Sequence, residues 1–404
     1  MKVSPFAPAA PQQLSAITGI RLASCASGIK RGEATDLSLI EFAAGSTVAG
    51  CFTKSTTAGA PVNWCRKALK SGHVRAIIVN SGNANVFTGS PGDETVRLEV
   101  DSVASALSAA HSDVFVCSTG VIGEPLDGNL IARAVPGLVA SLQSASWHEA
   151  ASAIMTTDTY PKVSTRSCAV ASGQVTINGI AKGSGMIAPD MATTLSFLGT
   201  DARISAADLQ SLLSECVEDT FNCITVEGDT STSDTILIGA TGKGSQVETQ
   251  EDLAKFKAAL REVLFDLSQQ VVDDGEGVSK RIEISLSGAP DRASARMLAM
   301  HIANSPLFKT AIAGGDANWG RVVMALGKSQ MPFDLNRLKI WFNDLPVAES
   351  GRRASAYNEK AMTALVNGDS IRVRVEVGEG PGSILVRTTD LTSDFVDLNA
   401  NYRS

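Results

Sequence analysis

Short β-branched runs alternate with amphipathic helical faces along most of the 404 residues, which limits the chain to a mixed α and β architecture. Val74–Asn80 is a short apolar run closed by the turn residues Ser81-Gly82-Asn83, which predicts a buried strand. Val96, Val100, Val103 and Leu107 then share one helical face, with Pro91-Gly92-Asp93 as a start signal. Val114–Cys117 predicts another strand, ending in Ser118-Thr119-Gly120. Ile131–Leu142 and Trp147–Met155 read as helices, the first kinked or split at Pro136. Leu209, Leu212, Leu213 and Cys216 make a helix face behind a Ser205 cap, and Leu253, Phe256, Leu260, Leu264 and Leu267 make a longer one. Ile282–Leu286, Leu338–Phe342, Ile371–Val377 and Ile384–Thr388 have the period-2 character of strands. The polar stretch Thr241–Glu251 and the loop Gly277–Arg281 are candidate boundaries.

Composition narrows the function classes. Charged residues are 19% and hydrophobic residues 44%, which argues against disorder. A net charge of −7 disfavours a nucleic-acid binder, which normally carries a basic excess. No apolar run reaches 18 residues, and the first residues carry no leader pattern, so the expectation is a cytoplasmic protein without a membrane partner. The seven cysteines include no CxxC pair, and none of the four histidines stands near one at ligand spacing, so no metal is expected.

The least ordinary stretch runs from Ala181 to Phe197, AKGSGMIAPDMATTLSF. A Walker A loop would need its lysine after the glycines, whereas Lys182 precedes them. On periodicity alone, the stretch is a glycine-rich turn entering a strand. Lys182-Gly183-Ser184-Gly185-Met186-Ile187-Ala188-Pro189, continued by Met191-Ala192-Thr193, closely resembles the signature of the ornithine acetyltransferase (glutamate N-acetyltransferase) family of arginine biosynthesis. Asn80–Asn85, Ser118–Gly123, Met155–Thr159, Gly275–Gly277, Gly314–Arg321 and Asn399–Ser404 resemble further family blocks in the same order. Asn401, where an acidic residue is usual, and Asp190, where Asn is also common, depart from the pattern.

The resemblance implies an α/β fold with two β layers sandwiched between helices, plus a smaller second α/β domain. It also implies self-cleavage between Ala192 and Thr193 into an α chain, 1–192, and a β chain, 193–404, assembled as two of each. Thr193 would then supply both a hydroxyl nucleophile and an α-amine, whose ordinary pKa of about 7.7–8.0 suits a general base. Thr194 is the local competitor. By the same resemblance, Thr119 and Gly120 serve the oxyanion, and Thr157, Lys182, Thr193, Glu276, Asn399 and Ser404 contact substrate, with Thr159 the alternative to Thr157. Asp316 and Arg321 read as an ion pair or loop support.

The expected reaction moves an acetyl group from N2-acetyl-L-ornithine to L-glutamate through acetyl-Thr193, without a cofactor. Some members of the family also use acetyl-CoA as co-substrate, and the residues leave that open. Two alternatives stand beside it: a self-cleaving aminopeptidase or amidase of the same fold, and a non-catalytic amino-acid-binding protein.

Overall fold

The computed structural model describes residues 2–10, 12–143, 147–187 and 194–401. Among them, eight strands form one hydrogen-bonded sheet: β1 (Ile20–Cys25), β2 (Leu37–Phe52), β3 (His73–Asn83), β4 (Val114–Val121), β5 (Lys162–Val170), β6 (Gly173–Lys182), β7 (Leu195–Thr200) and β8 (Thr235–Ala240). The order is β4-β3-β2-β8-β7-β6-β5, with β1 also on β2. The long strand β2 belongs to both halves. Leu37–Glu41 pairs with β3, Thr47–Phe52 pairs with β8, and the register breaks between them near Gly45, whose φ is +82°. A bulged, glycine-bearing break of this kind lets one sheet turn over on itself.

The two halves bury apolar side chains against each other. Ile77, Val79 and Phe115 from one half share a core with Ile180, Phe197 and Leu237 from the other. Two glycines set the spacing: a Cβ at Gly199 would meet Ile20 at 2.2 Å, and one at Gly239 would meet Phe42 at 2.3 Å. The outer faces are covered by helices. Ala76, Ile78, Val114 and Val116 pack on α2 (Gly89–Leu107) and α3 (Gly128–Ala140), beside α1 (Ala60–Ala68). Ile177, Leu198, Ile236 and Ile238 pack on α5 (Ala206–Asp219) and α6 (Gln250–Asp273), while α4 (Trp147–Ala153) enters the central layer. The result is the expected helix–sheet–sheet–helix sandwich. Strands such as β3 are buried on both faces, so alternate residues serve different cores.

The chain passes to the second unit at the loop after α6. Strands β9 (Arg281–Gly288), β10 (Lys339–Phe342), β11 (Leu345–Glu349), β12 (Arg352–Arg353), β13 (Ser370–Glu376) and β14 (Gly380–Thr389) pair in the order β12-β11-β10-β13-β9-β14. Helices α7 (Arg292–Ala303), α8 (Pro306–Ala313), α9 (Trp319–Lys328) and α10 (Glu359–Val366) supply the apolar side chains that share its core, and the exposed alternate residues of β13 mark an open face. Helix α11 (Ser393–Ala400) then returns toward residues 276–277.

Several expectations need correction. Thr241–Glu251 is no boundary: Gln246 bridges to Arg203, and α6 packs on the first sheet. Helix α3 continues through Pro136 without splitting. Ser81–Asn83 and Ser118–Gly120 are not strand-ending turns; they extend β3 and β4 and pair with each other. Arg321 joins α9 to α8 by donating to the Leu307 carbonyl, and Asp316 accepts from Asn318 at 3.1 Å rather than pairing with Arg321.

Candidate active site

The extended ends of β3 and β4 build one wall. Gly82 lies opposite Gly120, and a Cβ on Gly120 would sit 2.3 Å from the Gly82 carbonyl carbon. Gly120 has a φ of +133°, a region that favours glycine. This close crossing holds Thr119 and Gly120 on the lining of a cavity of about 280 Å³. Lys182, at the end of β6, reaches the same cavity and is 8% exposed. Its ammonium donates to Thr156 Oγ1 at 2.8 Å and to Thr119 Oγ1 at 3.3 Å. Because Thr119 accepts from Lys182, its own hydroxyl proton is available to another oxygen. Burial lowers the Lys182 pKa, opposed by the attraction of Asp158.

Glu276 closes the opposite side. Its carboxylate accepts from Asn399 Nδ2 at 2.7 Å, which brings α11 to the cavity, and its backbone N–H donates to the Ser184 carbonyl at 3.1 Å. Gly185 has a specific reason to be glycine: a Cβ there would lie 2.5 Å from the Glu276 carboxylate. Thr157 also lines the cavity, whereas the Thr159 hydroxyl is committed to the Asp274 carboxylate. Between the two alternatives, Thr157 is the one facing this space.

A buried charge cluster anchors this lysine–glycine turn from below. Lys162 donates to Asp158 at 2.7 Å and to Asp274 at 2.6 Å, and all three side chains are fully buried. Asp158 also accepts from the Gly183 N–H at 2.7 Å and the Thr156 N–H at 3.0 Å. Burial alone would raise the Asp158 pKa, but Lys162 and Lys182 more than reverse this and hold it well below the usual carboxylate range. Asp274 shares the same lysine and accepts from the Thr159 N–H and hydroxyl, yet burial, with the charge of Asp158 beside it, leaves its pKa raised.

Thus Thr119, Gly120, Thr157, Lys182, Glu276 and Asn399 come together around one cavity. Ala192, Thr193 and Ser404 lie outside the described residues, as does Asp190. Asn401, the other departure from the pattern, donates its side-chain amide to the Asp397 carbonyl at 2.8 Å. Thr194 is buried and its hydroxyl donates to the Lys182 carbonyl at 2.5 Å, so this competitor is held within the β-structure. Sequence reasoning missed Thr156 and the cavity segment Ser231–Ser233. Thr156 sat inside a quoted block but had no periodic signal of its own; Ser231–Ser233 fell in no family block and in no predicted element.

Fold and cavity define an α/β sandwich protein with a lysine-bearing, hydroxyl-lined cleft of the kind that acyl transfer uses. The sequence model of the ArgJ family matches residues 21–404, and the chain belongs to that family. "Arginine biosynthesis bifunctional protein ArgJ" of Rhizobium meliloti (strain 1021) is 51% identical over 409 aligned residues, covering 100% of this chain and 99% of that one. Its namesake in Brucella suis biovar 1 (strain 1330) is likewise 51% identical, with the same coverage. A crystal structure of the Bacillus halodurans protein of that name is 37% identical with a TM-score of 0.47, covering 50% of this chain and 96% of that one.

Proposed function

We propose that this chain is an acetyltransferase of arginine biosynthesis that carries acetyl from N2-acetyl-L-ornithine to L-glutamate. The observation that carries the reading is the Lys182 ammonium, bound to Thr119 on the wall of a cavity whose far side is Glu276 with Asn399. Self-cleavage between Ala192 and Thr193 exposes the Thr193 amine. That amine takes the Thr193 Oγ proton as Oγ attacks the acetyl carbonyl, and gives it to the departing ornithine nitrogen. Thr119 hydroxyl and Gly120 N–H receive the charge that develops on the carbonyl oxygen, at about 2.7–4 kcal/mol per donor. The glutamate amine then attacks acetyl-Thr193 and restores the hydroxyl.

Lys182 suits the α-carboxylate of either amino acid, and Glu276 suits the side-chain ammonium of ornithine. Thr157, Asn399 and Ser404 complete the substrate contacts. The steps call on neither metal nor organic cofactor; acetyl-CoA enters as a second acetyl donor to the same threonine. Two α and two β chains form the working assembly.

The test uses acetylornithine labelled in its acetyl group. Label should pass to acetylglutamate only when glutamate is present. Label released as acetate at the same rate with or without glutamate would make the protein an amidase instead.

A further inference from the structure

Met186 stands in the left-handed region with a φ of +61°, between Gly185 and the buried Ile187. A bulky side chain is uncommon there, so this residue needs a structural cause and calls for a use. The cause lies one residue further on. The Ile187 N–H donates to the Glu227 carboxylate, and the Ile187 carbonyl accepts from the Val226 N–H and the Thr225 hydroxyl, each at 2.8 Å. The Ile187 side chain is buried in the same core as Ile224 and Val226. With the Ser184 carbonyl tied to the Glu276 N–H, the turn is held at both ends and the Met186 backbone is fixed between them.

This turn presents an apolar side chain to the cavity. Met186 is 41% exposed and lines the same space as Lys182 and Glu276. Ala84, Val121 and Ile122 add apolar side chains to that lining. Met186 differs from them in belonging to the turn whose Gly185 faces the Glu276 carboxylate. An acetylornithine with its α-carboxylate on Lys182 and its ammonium on Glu276 stretches its methylenes between those two charges. Methylenes gain by leaving water for an apolar surface, and the unbranched thioether beside Glu276 offers one.

We propose that Met186 sets the side-chain length of the acetyl donor, a role that rests on the acetyl-transfer reading above. It fills the Glu276 end of the cavity, so that the ammonium of N2-acetyl-L-ornithine reaches the carboxylate with its methylenes against the thioether. N2-acetyl-L-lysine carries one more methylene and must either crowd Met186 or lift its α-carboxylate from Lys182. Selection by one methylene in an apolar pocket amounts to roughly 10–200-fold. The clamp on Ile187 matters because a Met186 free to turn outward would admit the longer chain. A glycine at this position would adopt the same backbone without strain and leave that end of the cavity open.

The experiment measures kcat and KM for acetyl transfer to glutamate from N2-acetyl-L-ornithine and from N2-acetyl-L-lysine, in wild type, Met186→Gly and Met186→Leu. Wild type should prefer acetylornithine by roughly 10-fold or more in kcat/KM. Met186→Gly should bring that ratio within a few-fold of unity, because KM falls for acetyllysine and rises several-fold for acetylornithine. Its melting temperature should be no lower than that of wild type, since glycine suits the backbone. Met186→Leu keeps the bulk and should keep the preference. Wild-type preference in Met186→Gly overturns the proposal, as does a wild type that does not discriminate between the donors. An equal fall in kcat for both donors with a lowered melting temperature overturns it in favour of a structural turn. A wild type that transfers acetyl from neither donor overturns the acetyl-transfer reading itself, and this role with it.

Discussion

Lys182 and Thr119 illustrate how single residues divide their work. The lysine needs Asp158 nearby to remain a useful cation in a buried site, and Thr119 needs an accepted hydrogen bond to direct its proton elsewhere. Thr119→Ala should therefore lower kcat by roughly 10²–10³ with little change in melting temperature. A raised KM at unchanged kcat would reduce Thr119 to a binding contact. Glu99 makes a separate prediction about stability. It is 1% exposed on α2, one carboxyl oxygen has no partner, and burial raises its pKa to about 8. The folded state holds this proton more tightly than the unfolded chain. The associated stability is fully present below about pH 4.5 and is lost as pH rises toward 8. Glu99→Gln should flatten the melting-temperature profile over that window. A mutant profile parallel to wild type would show that Glu99 does not titrate there.

Among elements, the strands divide by how many faces are buried. In the second sheet β9, β10, β13 and β14 were legible, β13 because one face is open and its residues alternate exposed and buried, whereas the short β11 and β12 were not. β2 was not legible: its first six residues are buried on both faces, and its break near Gly45 leaves no single period. β5 and β6 carry polar residues satisfied by cross-strand bonds, such as Thr165 to Asn178 at 2.6 Å, which hides them from an apolar pattern. Ser81-Gly82-Asn83 and Ser118-Thr119-Gly120 have turn composition, yet their glycines permit the close crossing that positions Thr119. Composition cannot separate those uses of glycine. Gly185 gives the element-scale prediction. Gly185→Ala should displace the Glu276 carboxylate, raising KM for acetylornithine at least several-fold while the melting temperature changes little, because the clash falls on a side chain at a cavity rather than in the core. An unchanged KM would remove Glu276 from substrate binding.

At the scale of the whole molecule, the site draws on distant parts of the chain: β4, the end of β6, residue 276 and α11. No local pattern could have joined them; the family blocks did, in the order they fall along the sequence. Six of the site residues read from those blocks meet at the cavity, whereas Thr156 and Ser231–Ser233 emerged only from three-dimensional packing. Deleting Asn399–Ser404 should harm transfer far more than stability, since terminal residues usually contribute little to folding but Asn399 here bonds Glu276. Acetate release should rise relative to acetylglutamate formation as water reaches the acyl-enzyme. Full transfer by the truncated protein would remove the C-terminus from the site.

The central claim is that a threonine freed by self-cleavage carries the acetyl group. Intact-mass spectra of the purified protein, before and after brief exposure to acetylornithine, test it directly. The account predicts two fragments meeting at Ala192/Thr193, with one acetyl group gained by the 193–404 fragment and lost again on adding glutamate. A single uncut mass that turns over acetylornithine, or an acetyl group on any residue other than Thr193, would contradict it.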